Sequence, residues 1–312
     1  MALDSAKTVA MADILIRACF FLLMVILGYA VKKAGILSEE DGVALSRVVL
    51  NITLPAAILV SFRTFVFDWS YMLIPLIAFA ANWLMLLTGW ALTRRRGTDD
   101  RIFYMLELPA YNIGNFTLPF VSSFLGATGV VASCLFDMGN APMCLGLNFT
   151  MTAMMIGRTP DRSVARAVLS VFKKPSFTVY VIMLILAAFS LSLPDIVFDF
   201  AGMISPANAP MAMVMIGLML EIRMDRTKLK DALSVNAIRL ALAAAIAVLF
   251  FALAPFSYEV KKAVAITAFA PISSASPAFV AALKGDVELV GFASTISIIV
   301  SLILMPLMIV FL

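Results

Sequence analysis

The chain has 312 residues, 63% hydrophobic and 13% charged, with a mean hydropathy of +1.04, far above the roughly 45–50% apolar usage of soluble domains. This composition predicts an integral membrane protein with no soluble domain, and it removes nucleic acid as the meaning of the net charge of +4, because Lys and Arg sit in short connections between apolar runs. The absence of histidine excludes His-based metal sites, Ser/His or Cys/His catalytic pairs and a histidine pH switch.

Apolar runs of about 20 residues, the length that spans a bilayer, predict ten helices near 11–31, 42–62, 71–93, 102–125, 129–151, 175–193, 199–221, 231–253, 262–283 and 287–311. The first run is followed, not preceded, by Lys32 and Lys33 and is read as a retained helix, not a cleavable signal. The second carries Asn51 before Pro55, the fifth Asp137 and Asn140 before Pro142, and the seventh Asn208 before Pro210. Arg47 and Arg239 lie inside spans near an interface and are expected to snorkel. Cys19, Cys134 and Cys144 lie in apolar runs without metal or redox spacing and read as packing residues.

Between the fifth and sixth spans, Thr159 and Pro160 suit a helix start, and Val164, Val168, Val171 and Phe172 share a face, which predicts an interfacial helix over 158–174. The basic connections alternate: Lys32 and Lys33, then Arg94 to Arg101, Arg158 to Lys174, Arg223 to Lys230, and Lys284 fall on one side. By the positive-inside rule that side is cytoplasmic and both termini lie outside.

The linker divides the chain into 1–157 and 175–312, five spans each. Pro55 and Pro210 align at an offset of 155 residues, Pro119 and Pro277 at 158. Two similar halves with an odd number of spans enter the membrane from opposite sides, so the expected fold class is all-α polytopic with a 5+5 inverted repeat.

Within each half the fourth span is interrupted. One contains Pro109, Asn112, Gly114, Asn115 and Pro119, the other Pro271, Ser274, Ser276 and Pro277. Proline removes a backbone donor, and freed carbonyls in lipid must find partners, so paired interruptions point to a ligand site near the midplane. Either interruption alone would read more readily as a packing kink than as a site. Asn51 and Asn140 are further binding candidates. Asp137, deep in a span, is either a proton or cation relay or a structural ion pair with Arg17; Glu107, one turn before Asn112, is a weaker candidate for coupling.

Several stretches resemble the auxin efflux carrier family: "LGYAVKKAGILSEEDGVALSRVVLNITLPAAIL", "YNIGNFTLPF", "KKPSF", "ANAPMAMVMIGLML" and "STISIIVSLILMPLMIV". That family includes plant PIN-type carriers and bacterial permeases associated with malonate or other small carboxylates. The resemblance covers essentially the whole chain and implies ten helices in a bacterial inner membrane. Spans four and nine would cross at their prolines, spans one, two, six and seven would form a scaffold, and the rest a mobile domain. It maps Asn51 and Asn140 to positions facing the crossover. The long hydrophilic loop of plant members is missing. Related sodium-coupled bile acid symporters use acidic and glutamine residues near their second crossover, which "APISSASPAF" lacks.

The expected function is a secondary carrier for a small organic anion, held by asparagine amides, hydroxyls and half-helix N-termini. No cofactor is expected, and coupling to protons or membrane potential is expected ahead of sodium. A homodimer through the scaffold is an expected assembly. The alternative is a sensor that binds the same ligand without transport. An intramembrane enzyme is disfavoured because Asp137 has no second membrane-depth aspartate.

Overall fold

A computed structural model describes residues 2–158, 169–220 and 227–312, with the side chains of 2–13 and of Ser170 outside the description. Its helices are α1 (Ala2–Lys33), α2 (Glu39–Val48), α3 (Leu54–Phe62), α4 (Leu73–Thr93), α5 (Thr98–Glu107), α6 (Leu118–Phe124), α7 (Gly126–Pro142), α8 (Asn148–Met155), α9 (Pro175–Ala188), α10 (Asp195–Ile204), α11 (Asn208–Met219), α12 (Leu229–Leu253), α13 (Tyr258–Thr267), α14 (Ser276–Ala282) and α15 (Val287–Phe311). No strand occurs among the described residues, only one isolated bridge.

Among the described residues, seven helical runs are long and apolar enough to cross a membrane: Ile14–Lys33, Glu39–Phe62, Trp69–Thr93, Gly126–Met155, Asp195–Met219, Leu229–Leu253 and Val287–Phe311. The other expected spans have a different build. α9 has only 14 residues, about 21 Å of helix, and the segments at 102–125 and 262–283 are each two short helices separated by irregular chain. The interfacial helix expected over 158–174 lies mostly outside the described residues, as do Arg223 and Arg226. What is described there includes a 3-10 turn, Ser170–Lys173, leading into Pro175 at the start of α9.

Among the described residues there are three π-helical turns: Val49–Thr53 joins α2 to α3, Met143–Leu147 joins α7 to α8, and Ile113–Thr117 leads from irregular chain into α6. Each lies beside a proline, Pro55, Pro119 or Pro142. Pro55 and Pro119 follow their π turns; there the ring removes a donor and crowds the preceding turn, and a local widening of the helix accommodates both effects. The sequence pattern of an asparagine shortly before a proline thus marks π turns at Asn51 and Asn115.

Helices in lipid pack through close backbone approach because lipid tails are as apolar as leucine. α1 lies along α11, and α9 along α3. At the first contact a Cβ on Gly28 would stand 2.2 Å from the Val214 carbonyl oxygen, and one on Gly217 would stand 2.1 Å from that of Val25. Thr53 Oγ1 donates to Asn208 Oδ1 at 3.0 Å across 155 positions, the separation that aligns Pro55 with Pro210. A second packed group joins α4 to α7, α7 to α13, and α12 to α15. There Gly139 lies so close to α4 that a Cβ would meet the Pro75 carbonyl oxygen at 2.0 Å.

Neither α1 nor α11 can yield at such a contact without backbone movement. Gly28→Leu or Gly217→Leu is expected to cost about 3 kcal/mol or more, read as a lowered thermal midpoint or loss of a monodisperse peak in detergent. An unchanged midpoint would contradict this packing.

Candidate functional site

The first interruption begins where α5 ends at Glu107 and closes at the π turn leading into α6. Ala110 takes a left-handed φ of 63°, and Asn112 is non-helical at φ −82°, ψ 72°. The second runs from the end of α13 at Thr267 to Ser276 at the start of α14. The two touch: Tyr111 and Ile272 form an antiparallel bridge, and the Asn112 N–H donates to the Pro271 carbonyl at 2.9 Å. Pro109 and Pro271 lie within the irregular segments. Pro119 and Pro277 do not: Pro277 occupies the first turn of α14, where a missing N–H leaves no intrahelical bond unmade, and Pro119 follows the π turn Ile113–Thr117 at the start of α6.

Irregular backbone at membrane depth needs internal partners, and polar side chains from the surrounding helices supply them. Asn82 Oδ1 accepts from the Ala110 N–H at 2.7 Å. Asn140 makes a peptide-like pair with Tyr111, accepting from its N–H at 2.9 Å and donating to its carbonyl at 3.0 Å. Ser297 Oγ accepts from the Ile272 N–H at 3.0 Å. Arg239 donates to carbonyls of both segments, Leu108 and Ala270 among them. It is buried against the interruptions and does not snorkel to an interface as its position in the sequence suggests.

Beside the touching segments lies a cavity of about 350 Å³, the size of a small-molecule site. Asn51, Asn112, Gly114, Asn115, Asp137 and Ser274 line it, together with Ser46, Arg47, Cys144, Lys174 and Ser273. Asn115 is central in its bonding: its Nδ2 donates to Ser274 Oγ at 3.2 Å and its Oδ1 accepts from Ser46 Oγ at 3.3 Å. One amide therefore joins the first interruption to the second and to α2. Gly114 lets this turn approach the π turn Val49–Thr53, since a Cβ there would meet Leu50 Cδ2 at 3.3 Å. Asn51 donates to the Arg47 carbonyl at 2.7 Å, and Ser273 Oγ lies 3.0 Å from Cys144 Sγ.

Asn140, Ser276 and Glu107 lie outside the lining. The Asn140 amide is occupied by Tyr111 and by Asp137 Oδ1, at 2.9 Å from the latter. Ser276 donates to the buried Glu107 carboxyl. Asp137 is held by Asn140 and by the Tyr180 hydroxyl at 3.4 Å. Arg17, the partner in the ion-pair alternative, does not pair with it: among the described residues Arg17 donates to the Ser123 carbonyl at 3.5 Å.

Sequence reasoning missed Arg47 and Lys174, which it assigned to an interface and to loop charge. Both border the cavity, and among the described residues no carboxylate pairs with either. The helical register of Ser46, Arg47 and Leu50 ahead of Asn51 was the available signal, because residues three and four apart share a face.

The chain matches the membrane transport protein family over residues 13–312. It is 30% identical over 297 residues to an uncharacterized transporter of Methanothermobacter thermautotrophicus, covering 92% of this chain and 94% of that protein. A weaker similarity, 23% over 210 residues, relates it to an uncharacterized transporter of Methanocaldococcus jannaschii, covering 64% of this chain and 66% of that one.

Proposed function

The chain belongs to the membrane transport protein family, and on that premise we propose that it is a secondary carrier for a small organic anion, malonate or another carboxylate, bound in the cavity beside the two interrupted helices. One observation carries the reading: Arg47 and Lys174 line a cavity that holds a single carboxylate, Asp137, among amides, hydroxyls and apolar groups, and no carboxylate among the described residues forms an ion pair with either cation. Cationic side chains with hydrogen-bond donors beside them suit a carboxylate, whereas a transported cation would call for carboxylates at the interruption itself.

The same reading counts α5–α6 and α13–α14 as crossing spans four and nine, α9 as span six, and ten spans in two inverted halves. It is supported by the Thr53–Asn208 bond between aligned positions and by the exchange of partners in which α1 packs on α11 and α9 on α3. α1, α2, α3, α9, α10 and α11 form the scaffold, and the remaining helices move against it with the site. With the basic connections cytoplasmic, both termini lie outside and Lys174 places the cavity near the inner face. Coupling is to protons through Asp137 or to membrane potential. Pairing of two copies through the scaffold is part of this reading.

A thermal-shift screen of malonate, succinate, acetate and lactate, followed by counterflow in liposomes, tests the function. A carrier binds and exchanges label; binding without counterflow identifies a sensor, and the absence of any carboxylate effect removes the anion. Arg47→Gln is expected to weaken carboxylate binding about tenfold or more, the worth of a charge-assisted hydrogen bond at roughly 1.5–3 kcal/mol, and to flatten its dependence on salt. Unchanged affinity in Arg47→Gln and Lys174→Gln together would remove the cationic pair from the site.

A further inference from the structure

Arg239, on α12, is only 3% exposed and aims its guanidinium at the carbonyl ends of both interruptions. Nη1 donates to the carbonyls of Glu107 and Pro109 at 3.2 Å each and to that of Leu108. Nη2 donates to Ala110 at 3.1 Å and to Ala270 and Pro271 at 3.3 Å each. The Tyr111 ring covers the guanidinium at 4.7 Å, and the Glu107 side chain, held by Ser276, is buried beside it.

Carbonyl oxygens that converge on one positive centre are what interrupted membrane helices present to a coupling cation. Here six such oxygens converge on a cation that is part of the chain. Guanidinium keeps its charge in a protein interior, and its planar fork places two nitrogens on two separate sets of acceptors. A lysine ammonium has a single nitrogen and would not reach both sets.

We propose that Arg239 is a resident cation that occupies the place of a metal coupling ion, holding the two interruptions together, so that the site is complete without sodium or potassium. Arg239 is thus a positioning residue: it touches the backbone that shapes the cavity and does not line the cavity itself. The role rests on the contact between the interruptions, not on which anion is carried.

The test uses the purified full chain in detergent, with thermal unfolding in sodium, potassium and choline chloride at equal ionic strength. The wild-type midpoint is expected to be the same in all three. Arg239→Ala and the more conservative Arg239→Gln are expected to lower it by about 5 °C or more, with recovery of at least half the loss on adding millimolar guanidinium, and none with equal sodium chloride or urea. A wild-type midpoint that rises specifically with sodium or potassium overturns the proposal. So do variants as stable as wild type, or destabilised variants that guanidinium does not restore. If neither variant folds, the wild-type comparison among the three salts decides. Because no carboxylate enters the measurement, failure here leaves the anion-carrier reading standing, and failure of the carboxylate screen leaves this one.

Discussion

Asn115→Leu is expected to weaken carboxylate binding by about 100-fold or more, roughly 2.8 kcal/mol, while the protein stays folded in detergent. The amide sits in the π turn entering α6 and carries bonds to Ser274 of the second interruption and to Ser46 of α2. Leucine keeps the branched outline, with more bulk, but has neither donor nor acceptor, so both hydroxyls lose their orientation and the cavity wall turns apolar at this point. A site built to hydrogen-bond its ligand discriminates strongly when those bonds cannot form. The half-buried position lets the freed hydroxyls find water, which is why the fold is expected to survive. Isothermal titration or a binding-induced thermal shift reads the loss. A variant that binds as the wild type does would show that Asn115 only braces the turn.

Asn112 presents a different balance. Its backbone N–H and carbonyl are both engaged, the first by Pro271 and the second by Thr117, while its side chain lines the cavity. Its backbone role survives any side-chain substitution, so affinity changes on replacing it report on the ligand alone.

The helical class, the position of both interruptions and six of the lining residues, Asn51, Asn112, Gly114, Asn115, Asp137 and Ser274, were legible in the sequence, because these follow from local signals: apolar run length, proline and glycine inside a run, and amides that need partners in lipid. The sequence did not carry the roles of Asn82, Asn140 and Arg239. Each satisfies backbone groups on a helix remote in sequence, and a polar residue looks the same from its own span whether it faces a ligand, another backbone or an interface. Asn140 was expected to face a substrate, yet its amide reads the Tyr111 peptide 29 positions away. Arg239 was expected at an interface, and its partners lie 31 to 132 positions away. Lys174 was hidden for another reason: a charge before an apolar run usually marks only a membrane boundary, and its place beside the cavity depends on how α9 meets α3.

Asp137→Asn is expected to abolish accumulation driven by a proton gradient while leaving carboxylate exchange intact. Asp137 is the one acidic residue among those lining the cavity. Its oxygens are held by Asn140 on its own helix and by Tyr180 on α9, so in the proposed cycle its hydrogen bonding crosses from the mobile group to the scaffold. Two negative charges about 6 Å apart repel by roughly 3 kcal/mol at an effective dielectric of 20, which makes a bound carboxylate and an ionised Asp137 poor neighbours. Protonation removes that repulsion, and linkage then requires anion binding to raise the proton affinity of the same group. The sign follows: carboxylate affinity of the wild type should fall as pH rises through the titration of Asp137. The asparagine variant, neutral at every pH and nearly the same shape, should stay at the tight-binding level throughout. A wild type whose affinity does not change with pH, or a variant that still concentrates carboxylate against a gradient, would move coupling away from Asp137 and toward membrane potential.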